Sequence, residues 1–438
     1  MHTTAYPQSE SYQVAAPWGV GKRVTFRFFA VYLVLYHLNP VLGVFSQSLQ
    51  QTVYRWPLRS LDGWLAINVF GLDPAVLRLG WGGNTDMPLH YIHVLVLLVF
   101  AAVATVAWSV FDRHRLHYQP LHAWVRLLVR YSLASSLLWY GFSKVFVGQM
   151  APAWMYLERL VEPFGDMSPA GLLWAFVGYS APYQIFGGLA EVFAGLLLLF
   201  RRTTTLGALV AIGVLLNVDM LNFSYQVDVK LASVNMLLSA VFLAAPDLAK
   251  LTRFFVLNQR VDPPDASDPV VENQWSRIAL LTFKAVFVFL ILYGSLSSAY
   301  RNALFRPQPN QPVLSGLYDV ETFILNGYEH PPLITDSARW RHVIIGDSPT
   351  VMRVQMMDAS FRRYTTEYDK EGRTISLILG NDKEKKYVLE CSRPDRDRVI
   401  MEGTLGDDAL TVRMKRIDPW SFSLLNSPFK WTGRTDIH

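Results

Sequence analysis

Residues 183–200 read YQIFGGLAEVFAGLLLLF, residues 204–224 read TTLGALVAIGVLLNVDMLNFS, and residues 229–246 read VKLASVNMLLSAVFLAAP. Each run is close to the roughly 20 apolar residues that an α-helix needs to cross about 30 Å of hydrocarbon. Only Arg201, Arg202 and Thr203 and a polar turn at 225–228 separate them. Three such runs in series specify an α-helical membrane bundle. Working outward, segments 24–46, 91–111, 124–147 and 278–299 meet the same standard, which makes about seven transmembrane helices. The first follows Lys22 and Arg23, is too long for a signal-peptide core and has no small-residue cleavage site after it, so it is expected to be retained.

Composition agrees. Of 438 residues 51% are hydrophobic and 17% charged, against roughly 25% charged in a soluble domain. Of the 75 charged residues, 38 lie in 1–306 and 37 in 307–438. Two physical environments therefore share one chain. A net charge of +5 is too mild for a nucleic-acid binder. Cys391 is the single cysteine, which excludes an intramolecular disulfide, a thiol relay and a cysteine zinc cluster; it reads as a small apolar residue in a strand.

Lysine and arginine near helix ends set orientation. One arrangement puts Lys22, Arg23, Arg113, Arg115, Arg126, Arg201, Arg202, Lys250, Arg253 and Arg260 in the cytoplasm, with residues after about 300 outside it. The apolar stretches 56–80 and 168–181 are interrupted by glycine and proline. The first reads as an amphipathic segment in the outer interface, and the pair could wall an outward-facing pocket.

The expected organisation is a cytoplasmic segment 1–23, a transmembrane domain 24–299, a proline-rich linker 300–312 and an extracytoplasmic β domain 313–438. Eight segments there alternate as half-buried strands do: 317–325, 340–345, 350–357, 360–367, 374–379, 386–391, 398–404 and 410–416. Leu410, Val412 and Met414 share one face, and Ile375, Leu377 and Leu379 repeat the pattern. Asp369 to Gly372, Gly380 to Asp382 and Gly406 to Asp408 supply tight turns. An all-β, lipocalin-type barrel is expected, with a sandwich as the alternative.

Ionisable groups at membrane depth need a partner or a task. Glu191, beside Gly187 and Gly188, could carry protons, bind a head group, or pair with a neighbouring helix. Lys144 either snorkels to the surface or joins Tyr140, Gln149, Asn222, Tyr225, Asp228 and Lys230 in a polar cluster at the outer interface. That cluster is a candidate quinone pocket or a structural network between helix ends. Glu191 and Lys144 are the candidate catalytic residues. His37, His90 and His93 are the histidines to test for haem ligation, an unfavoured reading since interfacial histidines are usually hydrogen-bonded. His114, His117 and His122 read as a charged loop. No metal site and no hydrolase, kinase or dinucleotide motif stands in a matching context.

The runs Arg130 Tyr131 Ser132 Leu133 Ala134 with Tyr140, Gly141, Lys144 and Gln149, then Ser180, Tyr183, Phe186, Gly187, Glu191 and Arg201 Arg202 Thr203, then Asn222, Phe223, Tyr225, Val227, Val229 and Lys230, resemble the DoxX-like membrane proteins. The longer bacterial members, with a C-terminal β domain, are the nearest in plan. Gly80 to Thr85 is similar to their Gly-rich pre-helix stretch. Asn326, Gly327, Pro331, Pro332, Leu333, Asp336, Arg339 and Trp340 resemble the opening of their tail domain. The usual turn Tyr-Asp-Val-Pro-Val-Lys is altered here at Gln226 and Asp228, and 427–432 matches their aromatic ending only loosely. The resemblance implies a DoxX-like four-helix core at about 124–258 and a bacterial inner-membrane location. It also implies an oxidoreductase-associated subunit that would use a quinone or a partner's redox centre. Two other functions stay open: a non-catalytic accessory subunit whose β domain and outer loops bind protein partners, and a lipid- or small-molecule-modifying membrane enzyme.

Overall fold

A computed structural model describes residues 17–79, 86–150, 156–261, 273–304, 314–346, 351–369, 373–379 and 386–426. The main helices are α1 (Val20–Phe45), α2 (Trp56–Asn68), α3 (Pro88–Phe111), α4 (Gln119–Val145), α5 (Pro169–Tyr179), α6 (Ala181–Leu199), α7 (Thr204–Ser224), α8 (Lys230–Ala244), α9 (Leu248–Phe255) and α10 (Gln274–Leu304). Six helical segments among the described residues are long and apolar enough to cross a membrane: Val20–Gly43, Pro88–Phe111, Ala181–Leu199, Arg201–Ser224, Lys230–Phe255 and Gln274–Arg301. They are the mark of a multi-pass membrane protein. The expected crossing at 124–147 is α4, which is long enough, but Arg126, Arg130, Lys144 and four serines make it too polar for the same standard. Its Val129, Leu133 and Leu137, one turn apart, are fully buried.

Contacts divide the chain into two compact units: Met1–Trp139 with Ala190–Ser295, and Tyr140–Leu189 with Leu296–His438. In the first, α3 shows how a helix that is hydrophobic all round is used. Leu97, Ala101 and Thr105 lie one turn apart and are buried, whereas Val103, Val106 and Val110 are 64%, 66% and 64% exposed. Water would not tolerate that second face, and lipid does.

The second unit holds the β domain. Its strands are β1 (Gly316–Leu325), β2 (Tyr328–Glu329), β3 (Trp340–Ile345), β4 (Val351–Met356), β5 (Phe361–Tyr368), β6 (Thr374–Leu379), β7 (Lys386–Ser392), β8 (Arg398–Leu405) and β9 (Asp408–Ile417). Antiparallel pairing runs β1-β3-β4-β5-β6-β7-β8-β9, and β9 returns to β1 from Leu317↔Ile417 to Leu325↔Leu410. The sheet therefore closes as an eight-stranded up-and-down barrel, not a sandwich, with β2 folded back on β1 alone. At eight strands the interior is just wide enough for side chains to fill. Tyr318, Phe323, Trp340, Met352, Tyr364 and Met401 are among those that fill it. Cys391 packs against this core from β7, and burial pushes its thiol up to about 12.

Asn326 and Gly327 turn β1 into β2 with positive φ (52° and 80°). Asn326 also donates to Asp408 Oδ1 at 2.7 Å and accepts from the Ala409 amide at 2.9 Å, locking the turn to β9. Arg339 is buried and donates to the carbonyls of His330, Trp340 and Val320. The outer wall is covered at one patch: Gln355 donates to the Val161 carbonyl at 2.9 Å and Arg353 pairs with Glu158. The short helix Glu158–Val161, which leads toward α5, is thus docked on the barrel.

Of the expected turns, Gly406 has the required positive φ (75°). Residues 370–372 and 380–385, which complete the other two, lie outside the described residues, as do 80–85, 427–432 and most of the expected linker. The expected interfacial segment at 56–80 contains α2 and a short helical turn, Pro74–Leu79. The stretch 168–181 is α5, which ends at Ser180.

Candidate functional site

The site begins with a break. Ser46 ends α1 in an extended conformation, and its hydroxyl accepts from the Leu49 amide to start the next turn. Residues Gln50–Arg55 then wind as a π-helix before α2. A π turn inserts one residue per turn and re-aims the helix beyond it, which is why such turns gather at functional sites. Tyr54 lies in it and is buried. Asp62, two turns further on, is fully buried. His93 of α3 lies between them: its Nδ1 is 2.8 Å from Asp62 Oδ2 and its Nε2 is 3.3 Å from the Tyr54 hydroxyl.

The chemistry of the pairing assigns the protons. A carboxylate only accepts, so Nδ1–H donates to Asp62, and the lone pair at Nε2 takes the Tyr54 O–H. Asp62, His93 and Tyr54 therefore form a line in which the carboxylate fixes the imidazole tautomer and the phenol donates a hydrogen bond to the other ring nitrogen. Asp62 Oδ1 has no partner among the described residues, so this charge depends on the histidine. His90, one turn earlier on α3, lies in the field of His93, Asp86 and Asp62. Asp86 accepts from Lys230 Nζ at 3.2 Å and from the Lys230 and Leu231 amides at 3.0 Å each. It thus caps α8 from another segment while neutralising Lys230.

The residues singled out in the sequence fall in both units. In the first, Lys230 is held by Asp86, and Asn222 donates to Ser233 Oγ at 3.0 Å, joining α7 to α8. Tyr225 caps α7, and Gln226 carries the positive φ (55°) that starts the turn to Asp228. Glu191 is 3% exposed on α6. In the second unit, Lys144 Nζ lies 5.8 Å from the Tyr140 ring centroid. Ser143 donates to the Tyr140 carbonyl at 2.8 Å, and Gln149 Oε1 lies 3.4 Å from the same hydroxyl. Gly188 sits where an added Cβ would come within 2.7 Å of the Gly141 carbonyl and Lys144 Cβ, so only glycine permits this approach of α6 to the end of α4. Gly187 meets nothing within 4 Å.

His37 is explained by its partners. Ser239 gives its proton to the Asn235 carbonyl, so its oxygen accepts from His37 Nε2 at 2.8 Å, and Ser132 completes Nδ1 at 2.7 Å. The imidazole joins α1, α4 and α8, with a serine hydroxyl at each ring nitrogen. Tyr32 and Asn235 add a second α1–α8 link. Among the described residues no group of three or more His, Cys, Asp or Glu side chains is placed to hold a metal ion. The first unit also contains an apolar slot of about 190 Å³, lined by Tyr131, Phe283, Phe287 and Trp124 together with Lys284.

Sequence reasoning found His93 but neither of its partners. Asp62 carries a signal that could have been used, a lone carboxylate between Leu61 and Gly63 in an apolar stretch. Tyr54 carries none, because a π turn leaves no periodic trace.

No family model and no solved structure matches the chain. It is similar to "Uncharacterized protein YwoB" of Bacillus subtilis (strain 168), at 30% identity over 146 residues, which cover 31% of this chain and 83% of the relative. At that identity and coverage the chain belongs to the family of YwoB.

Proposed function

We propose that the chain is an integral subunit of a redox complex in the bacterial cytoplasmic membrane, where it binds a quinone or its reduced form. The observation that carries this reading is the Asp62–His93–Tyr54 line. A quinol gives up two protons with its two electrons, so a site for it needs a buried proton acceptor, and the electrons must pass to a partner's redox centre. His93 takes a proton through Tyr54, and Asp62 stabilises the imidazolium that forms. A quinone carbonyl is in turn a good acceptor for a phenol or imidazole N–H. The resemblance to DoxX-like proteins supports the same class of partner, and the aromatic slot beside Tyr131 offers a seat of ring size.

In this reading the basic face is cytoplasmic and the barrel lies outside. Support comes from the first unit, where Arg23 donates to the carbonyls of Arg113 and Arg115 and Trp18 donates to that of Leu116. These cations thus share one face, as the positive-inside rule requires. The DoxX-like core, with α4 as a seventh crossing, belongs to the same proposal. The filled interior of the barrel favours a docking task for it, through its outer wall, toward protein partners. That filling also favours a second reading, an accessory subunit without chemistry of its own.

The test is quinone retained by the chain purified from native membranes in mild detergent, quantified by mass spectrometry. Near-stoichiometric quinone is expected, falling about tenfold in His93→Gln, the size of one lost buried hydrogen bond. A similar fall in Glu191→Gln would add Glu191 to the site. A wild-type chain without quinone, or a folded His93→Gln variant that retains it fully, contradicts the proposal.

A further inference from the structure

At the basic end of the first unit, the starts of α1 and α4 and the end of α8 enclose a cleft of about 630 Å³. Lys22, His122, Arg126 and Lys250 line it, with Asp247 as the acid among its lining residues. That acid is already engaged, since Thr205 donates to Asp247 Oδ2 and Arg126 lies 3.8 Å from the same oxygen. Arg126 also donates to the Leu243 carbonyl at 3.0 Å, so its guanidinium is fixed in the wall. The first turns of α1 and α4 contain no acidic residue, and both helix starts line the cleft. Their positive dipole ends add to the field there.

The other wall is aromatic. Trp18 packs edge-on against Phe26 and His122, and His122 against Phe242, with centroids 5.4, 6.1 and 5.8 Å apart. Immediately after the cleft, α9 exposes Leu248, Phe254 and Phe255 beside Lys250 and Arg253. That pattern suits a helix lying in a membrane interface. A merely solvated basic surface would need neither a concave floor nor an apolar wall.

We infer that this cleft binds an anionic phosphoryl group, and that its source is a phospholipid head group whose acyl chains lie along the aromatic wall. Basic pockets between membrane helices recognise lipid head groups by this combination. The inference is independent of the quinone reading, since it uses none of the same side chains.

The test is titration of the full chain in detergent with phosphatidylglycerol, phosphatidylcholine and inorganic phosphate, read by native mass spectrometry. One phosphatidylglycerol per chain is expected, preferred over phosphatidylcholine by about tenfold, as two nearby lysines allow. Lys22→Gln with Lys250→Gln should abolish that preference, and Lys22→Arg with Lys250→Arg should restore it, which separates charge from misfolding. Inorganic phosphate competing as well as the lipid would keep the phosphoryl site but overturn its lipid source. Equal binding of both lipids, or a preference that survives the double glutamine variant, overturns the inference.

Discussion

The helices and the barrel solve opposite problems with the same residues. In the barrel, Trp340, Tyr364 and Met401 point inward and are almost wholly buried, while Arg363, Glu402 and Arg413 face outward and are exposed. On α3 the large side chains Val103, Val106 and Val110 are exposed. In the first unit the buried polar groups reach across helices, as His37 does to Ser132 and Ser239 and Asn222 to Ser233. Water excludes apolar groups from a surface, whereas lipid excludes unpaired polar ones. The contrast therefore reports the solvent of each region more reliably than hydropathy does. α4 shows this, since its serines and arginines lower its hydropathy while its leucines pack inside.

Trp340→Ala is expected to break the contrast most severely, by emptying the barrel core at a cost of about 3–5 kcal/mol. Proteolysis should then digest the β domain and spare the helices. Val103→Asp is the next largest. A carboxylate on the lipid face of a membrane helix costs about 2.5–3.5 kcal/mol on the insertion scale. Thr404→Asp, on an exposed barrel position, should stay within about 0.5 kcal/mol. Membrane-integrated yield and melting temperature compare the two; equal effects would remove the distinction between solvents.

Acid should affect the barrel more gently. Burial holds the His342 imidazole below its ordinary value, only partly offset by Gln355 and Asp319. As pH falls below about 6.5, the unfolded chain takes this proton first and stability declines. Asp336 acts later. Burial opposes its ionisation, but hydrogen bonds from His330 and from the Ala338 and Arg339 amides hold its carboxyl below the ordinary carboxylate range. Its contribution is present above the unfolded value and is lost as pH falls through the depressed one. The melting temperature of the barrel should fall between pH 7 and 5, and His342→Gln should flatten that slope.

Much of this was legible in the sequence. Alternation located the eight barrel strands to within two residues, because each has one buried face; Leu410, Val412 and Met414 are buried together as their spacing requires. β2 was not visible, since Tyr328 and Glu329 are both exposed and two residues cannot show a period. Length located six of the seven expected crossings as helices long and apolar enough to span a membrane, and Gly188 shows the close helix approach that its small-residue context announced. The polar cluster was only partly legible. Tyr140, Lys144 and Gln149 belong to one compact unit and Asn222, Tyr225, Asp228 and Lys230 to the other, and the partner that holds Lys230, Asp86, is 144 residues away. Sequence distance of that kind, and the π turn at Tyr54, are tertiary facts without a local signature.

Cysteine labelling in intact cells tests the two-solvent architecture most directly. With Cys391→Ser as background, Thr404→Cys on the barrel should react with a membrane-impermeant maleimide in intact cells or spheroplasts. His114→Cys, on the basic face between α3 and α4, should react only after permeabilisation. Labelling of both without permeabilisation, or of the barrel position only after it, would contradict the proposed orientation, with the basic face inside and the barrel outside.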